Sequence, residues 1–321
     1  MSILGGVFLM VISNENNIDN NYQNILQGKL TNAFHMLSEQ SFHFDRFANN
    51  ANAIVNNVKF SADGINSLPT PFKCDTIVQR VFDIFILKLT PLLPYKKEMS
   101  DNDFKKFQCV SISLKEYMTL CNIKSNKTRA IEQLRTALNV ITHISVEFSD
   151  THFIRKNKSE SEYYFFKITD TVTRDKSTGT YSIIFNVNFL KYLSKTYIMP
   201  FDLQLFKINM KHHPHAYKLA RRLLLHHNMN FSKSNANIIS VKILLESTNI
   251  PTYEQVKSKG RQIKQLIIQP LELNMNYLKQ INFLEWNYTT NIDYSYQKWI
   301  DSSIQFKILN YPSREKSTKS Q

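Results

Sequence analysis

Apolar residues recur along the chain with two periods, and the switches between them mark out its elements. From residue 75, DTIVQRVFDIFILKLTPLL sets Ile77, Val78, Val81, Phe82, Ile84, Phe85 and Leu89 at helical spacing. Asp75 stands where an N-cap belongs, and Pro91 and Pro94 close the helix. FQCVSISL (107–114) alternates and predicts a short strand. Ser113, with Glu116 three residues on, predicts the cap of a short helix, LKEYMTLCN. IKSN makes a turn. KTRAIEQLRTALNVI then puts Ile131, Leu134, Leu138 and Ile141 on one stripe. Three β-branched and aromatic runs follow as strands: HISVEF (143–148), EYYFFKITDTV (162–172) and TYSIIFNV (180–187). Polar, basic loops join them, and Gly179 supplies a turn position.

The order repeats. PHAYKLARRLLLHHN predicts a helix that buries Tyr217, Leu219, Ala220, Leu223 and Leu224. NIISVKILLEST predicts a short strand and a helix capped at Ser240, and NIPTYEQ a turn. VKSKGRQIKQLIIQPLELNMNYL predicts a long third helix, kinked at Pro270, with Leu271 and Leu273 packing beyond the kink. INFLEWNY and SSIQFKILNY predict a closing hairpin. Helix, strand, short helix, turn, helix, hairpin is the order of a winged helix. The expected fold is therefore α+β, with two tandem winged-helix domains at 71–200 and 201–312. A partly helical or disordered, asparagine-rich arm (1–70) precedes them, with an apolar rhythm at Leu30, Phe34, Leu37 and Phe47, and a disordered basic tail (313–321) follows.

Charge sharpens the division. Residues 1–70 hold 3 basic and 5 acidic side chains, 71–200 hold 20 and 13, and 201–321 hold 17 and 8. A basic surplus confined to the two repeated blocks fits two modules that face a polyanion; a merely soluble basic protein is the other reading. Three cysteines without C-x-x-C spacing argue against a disulfide framework or a thiolate zinc site and fit a reducing cytoplasm. ILGGVFLMVI is too short to span a bilayer and lacks the flanks of a signal peptide, so no membrane role is expected.

In a helix-turn-helix the start of the second helix enters the major groove, where Arg, Lys, Asn and Gln read base edges. Module two offers Lys257, Ser258, Lys259, Arg261, Gln262 and Gln265, with Ile263, Leu266 and Ile267 on the buried side; Gly260 would let the backbone approach a phosphate. Module one offers Lys127, Thr128, Arg129, Gln133 and Arg135. Arg155, Lys156, Lys158, Arg174 and Lys176 fall at or near hairpin tips, where phosphate contact and plain solvation are both open readings.

The histidine-rich run KHHPHAYKLARRLLLHH tests the enzyme alternative. A histidine pair on a strand with a tyrosine nearby is the pattern of metal-dependent nicking enzymes. Pro214 disfavours a central strand and suits a helix start, which places Tyr217 on the packing face. No phosphate-binding glycine loop or paired-acid motif is present, so neither catalysis, metal nor cofactor is expected.

Module two resembles the second winged helix of the iteron-binding plasmid replication initiators, the Rep family. The matching positions are Tyr217, Val241, Leu244, Tyr253, Arg261, Ile263, Ile267, Ile268, Pro270, Leu271 and Asn274 or Asn276. FQCVSISLKEYMTLCNIKSNKTRAIEQLRTALNVI resembles the family's first winged helix more loosely, so the likeness spans roughly 75–311; the arm has no counterpart. The resemblance implies binding to repeated double-stranded DNA sites at a plasmid or phage origin, duplex opening, and recruitment of a host initiator and replicative helicase. It also implies a homodimer in equilibrium with monomer, formed through module one, that represses its own gene. A repressor of the same fold without a replication role is the alternative.

Overall fold

A computed structural model describes residues 21–37, 41–45, 48–67, 72–94, 99–155, 158–257, 262–291 and 295–312, with backbone alone for 151–155 and 158–161. The arm is more structured than its composition suggests. It contributes β1 (Tyr22–Gln27), α1 (Lys29–Met36), β2 (His43–Asp45), β3 (Asn50–Val55) and β4 (Val58–Asp63). The helix is where the apolar rhythm places it, with Leu30, Phe34 and Leu37 fully buried. The strands were illegible because asparagine and alanine fill their alternating pattern. Phe47, the first 20 residues and the tail from 313 lie outside the described residues.

Module one continues with α2 (Thr76–Leu89), α3 (Asp101–Phe104), β5 (Cys109–Ser113), α4 (Leu114–Leu120), α5 (Lys127–His143), β6 (Ile144–Arg155), β7 (Lys158–Lys167), β8 (Thr169–Asp175), β9 (Thr180–Phe185), α6 (Val187–Lys195) and β10 (Tyr197–Asp202). The expected caps form, but Ser113 and Glu116 make only half of a capping box, because the Glu116 carboxylate pairs with Lys88 instead. Asp75 Oδ1 accepts from the amides of Ile77 and Val78 at 2.8 and 3.0 Å, and Ser113 Oγ from that of Glu116 at 3.1 Å.

The expected single strand 162–172 is two. It breaks at Ile168, fully buried, whose amide donates to Ile144 O at 3.1 Å and whose carbonyl accepts from Asn186 N at 3.2 Å. Before the break, β7 joins a five-stranded sheet of order β2-β3-β4-β6-β7; after it, β8 joins β5-β9-β8, the sheet that carries the wing. Both halves carry the same β-rich composition, so periodicity could not reveal the change of partner. The arm's strands thus share a sheet with β6 and β7, and the sheet crosses the expected division at residue 70. The arm is tied down twice more: β1 pairs antiparallel with β10, and Tyr22 Oη donates to Leu309 O at 3.2 Å. Gly28 allows α1 to begin against α6, since a Cβ there would lie 2.5 Å from Tyr192 Oη and from Thr196 Cγ2.

Module two comprises α7 (Ala216–Asn230), β11 (Ile238–Ser240), α8 (Val241–Glu246), α9 (Tyr253–Lys257), α10 (Gln269–Gln280), β12 (Leu284–Tyr288), α11 (Tyr296–Ile300) and β13 (Ser303–Ile308). Its sheet order, β11-β13-β12, repeats that of β5-β9-β8: the first strand pairs with the last. The predicted plain hairpin carries a short helix, α11, in its connection. Ahead of Pro270, residues 264–268 form a π-helical turn in which Gln269 N–H reaches back to Lys264 O. The wider turn accommodates the donor that proline lacks. Leu271 is buried as expected, but Leu273 is 64% exposed, because residues two apart in an α-helix point to opposite sides and cannot both face the core.

The modules join through buried charge. Asp83, on α2 and 1% exposed, accepts from Arg221 Nε and Nη2 at 3.0 Å each, from Tyr217 Oη at 2.5 Å, and pairs with His35 Nε2 at 2.9 Å. Burial alone would raise its pKa. Arg221 and His35 outweigh that and hold it down to about 2. Lys218 Nζ adds bonds to Leu37 O at 2.7 Å and Asn249 Oδ1 at 2.9 Å. Arm, module one and module two meet at this cluster.

Candidate nucleic-acid interface

The turn before α5 sets the geometry. Asn122 takes a left-handed conformation (φ 52°), and Ile123 N donates to Met118 O at 2.8 Å, so α4 stops and the chain reverses. Asn126 Oδ1 accepts from Arg129 N at 2.9 Å and opens α5. The first turn of α5 presents Lys127, Thr128 and Arg129 to solvent, with Arg135 exposed two turns on. Ala130, Leu134, Ala137, Leu138, Val140 and Ile141 hold the opposite face in the core.

Facing this helix start is the wing. Asp175 folds its tip by accepting from Ser177 N and Oγ and Thr178 Oγ1, bonds that hold its carboxyl down to about 2. Gly179 turns the tip with φ +67°, and its carbonyl accepts from Leu114 N at 3.0 Å, which pins the wing to the start of α4. The Arg174 guanidinium lies 5.3 Å from the Tyr181 ring centroid, partly directed by that contact.

Between α5 and the wing runs an open groove of about 640 Å³. Its charged lining is Lys115, Lys124, Lys127, Arg174 and Lys176, with no acidic residue. Such a groove focuses positive potential and suits a phosphodiester strand. Lys127, Arg174 and Lys176 were expected from sequence; Lys115 and Lys124 were missed. The signal for them was the turn itself, since the α4 face and the turn border whatever α5 faces.

The other expected residues divide. Gln133 is half-exposed, and its Oε1 accepts from Tyr117 Oη at 3.0 Å and from Arg80 Nη2 at 3.4 Å, which braces α5 against α4 and α2. Arg155 and Lys158 pair in register at the β6–β7 tip, on a different hairpin from Arg174 and Lys176. Both basic tips are hairpin tips as expected; the side chains of Arg155 and Lys158, and Lys156 altogether, lie outside what is described. In module two, Lys257, Gln262, Lys264 and Gln265 are exposed around the start of the third helix, and Lys257 Nζ lies 5.8 Å from the Tyr253 ring centroid. Ser258, Lys259, Gly260 and Arg261 fall outside the described residues.

The histidine run is a helix start, with α7 beginning at Ala216. His213 stacks on Tyr277 at 3.6 Å between centroids. His215 donates its amide to Asn274 Oδ1 at 3.2 Å, and burial lowers its imidazole pKa to about 4. Tyr217 is 0% exposed with its hydroxyl committed to Asp83. No cluster of three metal-ligating side chains occurs among the described residues, and no helix among them is long and apolar enough to cross a membrane.

Comparison with known proteins places this geometry. Residues 70–207 match the family model described as Initiator Replication protein, WH1. Among solved structures, the chain is similar to the Pi initiator protein in complex with iteron DNA, at 13% identity and a TM-score of 0.45, over 74% of this chain and 91% of that one. It is similar to domains 2 and 3 of RctB at 9% identity and a TM-score of 0.39, over 89% and 91%. A third likeness is to the WH1 domain of MSBI1.176, a replication protein isolated from a multiple sclerosis patient, at 11% identity and a TM-score of 0.25, over 41% and 85%. No curated protein matches the sequence. Residues 70–207 carry the WH1 pattern of initiator replication proteins.

Proposed function

We propose that this chain starts DNA replication by binding repeated double-stranded sites at a plasmid or phage origin. Both recognition helices engage neighbouring major grooves, and the wing groove of module one grips the backbone. The observation that carries this reading is the acid-free basic groove between the start of α5 and the wing, in a domain matched to replication initiators. The protein acts by binding rather than by strand cleavage, a reading supported by the burial of Tyr217 in the joint between modules. It works in the cytoplasm, as a homodimer in equilibrium with monomer, represses its own gene, and hands the opened duplex to a host initiator and helicase.

The test is binding to labelled DNA from upstream of its own gene against scrambled DNA, over a salt series with Mg²⁺ present, with the same samples run on a denaturing gel. Selective, salt-sensitive binding to direct repeats with intact strands is expected. Binding to a single inverted repeat alone would convert the reading to a repressor, because operator symmetry mirrors dimer symmetry. A site-specific nick would overturn the non-enzymatic part.

A further inference from the structure

A second open cleft, of about 470 Å³, lies on the opposite flank of the helix-turn-helix turn, against residues 207–211, which lead into module two. Its charged lining is Arg80, Lys124, Arg129, Lys207 and Lys211, again with no acidic residue. Arg80 is the informative member. It is 4% exposed yet has no carboxylate partner among the described residues. Its Nη1 donates to Phe206 O at 3.2 Å, its Nη2 reaches Tyr117 Oη and Gln133 Oε1 only at 3.4 Å each, and its Nε has no partner. A buried guanidinium is normally matched by an anion. Arg221, at the module joint, has Asp83 for that purpose; Arg80 has only neutral oxygens, two of the three near the limit of bonding distance. The 17-residue helix α5 also opens onto this cleft through Ser125 and Asn126, so its N-terminal dipole adds to the field.

We propose that this cleft is a phosphate-binding site distinct from the wing groove, with Arg80 at its inner wall and Lys207 and Lys211 on the wall supplied by the inter-module segment. The favoured source is a backbone phosphate of bound duplex. Asn122, Ile123 and Lys124 line both the groove and the cleft, so a strand leaving the wing groove passes over this site. In that form the inference rests on the DNA-binding reading. A free polyphosphate would offer the same chemistry. Either occupant bridges module one and the segment entering module two.

The experiment uses the full chain and the double variant Lys207→Gln/Lys211→Gln; both lysines are exposed, so the fold should survive. Lys59→Gln/Lys167→Gln, on the outer face of the five-stranded sheet, removes the same charge elsewhere. Duplex binding is measured across salt for all three, and binding of inorganic pyrophosphate by calorimetry without DNA. Each lost phosphate contact reduces the slope of log K against log salt by about 0.9. A slope reduced by about 1–2 in the cleft variant alone supports a backbone phosphate. Saturable pyrophosphate binding that the cleft variant loses supports a free polyphosphate, and it does so even if the wild-type chain binds no duplex, in which case only the functional reading fails. The inference is overturned if the slope is unchanged or falls equally in the control, and pyrophosphate is unbound or bound alike by all three.

Discussion

The two modules share a frame and differ in everything laid upon it. Each runs helix, strand, helix, turn, helix and a sheet in which the first strand pairs with the last. Module two stays close to that minimum. Module one has acquired an arm, a second hairpin and a five-stranded sheet, and its α2 is buried on nearly every side, polar Gln79, Arg80 and Asp83 included. The third helices differ too. α5 runs unbroken from its Asn126 cap through 17 residues, whereas its counterpart passes through a π-helical turn before Pro270. The frame is what a winged helix requires; the additions to module one supply anchorage, with Asp83 and its surroundings gripping the first helix of module two.

The sharpest way to break the contrast is to remove that grip. Asp83→Ala leaves Arg221 buried without its partner and should destabilise the chain by about 3–5 kcal/mol. Denaturant unfolding should then show module two loosening ahead of module one; a single unshifted transition would refute the joint's importance. Next in size is acid. His35 and His215 are both held below the usual histidine range by burial, so the unfolded chain binds more protons than the folded one. Their stabilising share is complete above pH 6.5 and is lost as pH falls from there toward about 4 for His215. A thermal midpoint that declines across that window, less steeply in His215→Gln, is expected.

Smaller effects separate the two reading helices. Arg261→Ala should cost about 1–3 kcal/mol on cognate DNA and abolish discrimination against scrambled DNA. Lys127→Ala, at the wing groove, should weaken all sequences alike and lower the salt slope by about 0.9. Equal loss of discrimination in both, measured by competition binding, would erase the proposed division. The smallest change is Pro270→Ala, expected to lower stability by about 0.4–1 kcal/mol through a more flexible unfolded chain. A gain would mean that the π turn is strain imposed by the proline.

Much of this was legible in the sequence because it is local. Caps at Asp75, Ser113 and Ser240 are read from one residue and its next few neighbours, and the structure places all three. Helical stripes report one buried face, and Tyr217 and Leu219 lie where the period puts them. What escaped notice depends on partners distant in the chain. The strand at 58–63 looks polar because it is half-buried, and its partner β6 lies some 85 residues on. Ile168 divides a run that is uniform in composition. Gln133 has the chemistry of a base reader, but Tyr117 and Arg80 take its oxygen, a fact written in neither helix alone. The basic groove was half seen: its α5 and wing residues follow from the fold class, while Lys115 and Lys124 need the packing of α4 beside the wing.

The bond between Asp83 and Arg221 spans 138 positions of the chain. A ribosome releases the carboxylate long before the guanidinium. Until then the nascent first module holds an acid suited to an interior that does not yet exist, and water has to keep it. Completion of the second module is what closes that interior. A shortened chain ending near residue 207 would carry the same exposed acid permanently, so stability measured on such a fragment describes a different protein from the one that leaves the ribosome whole.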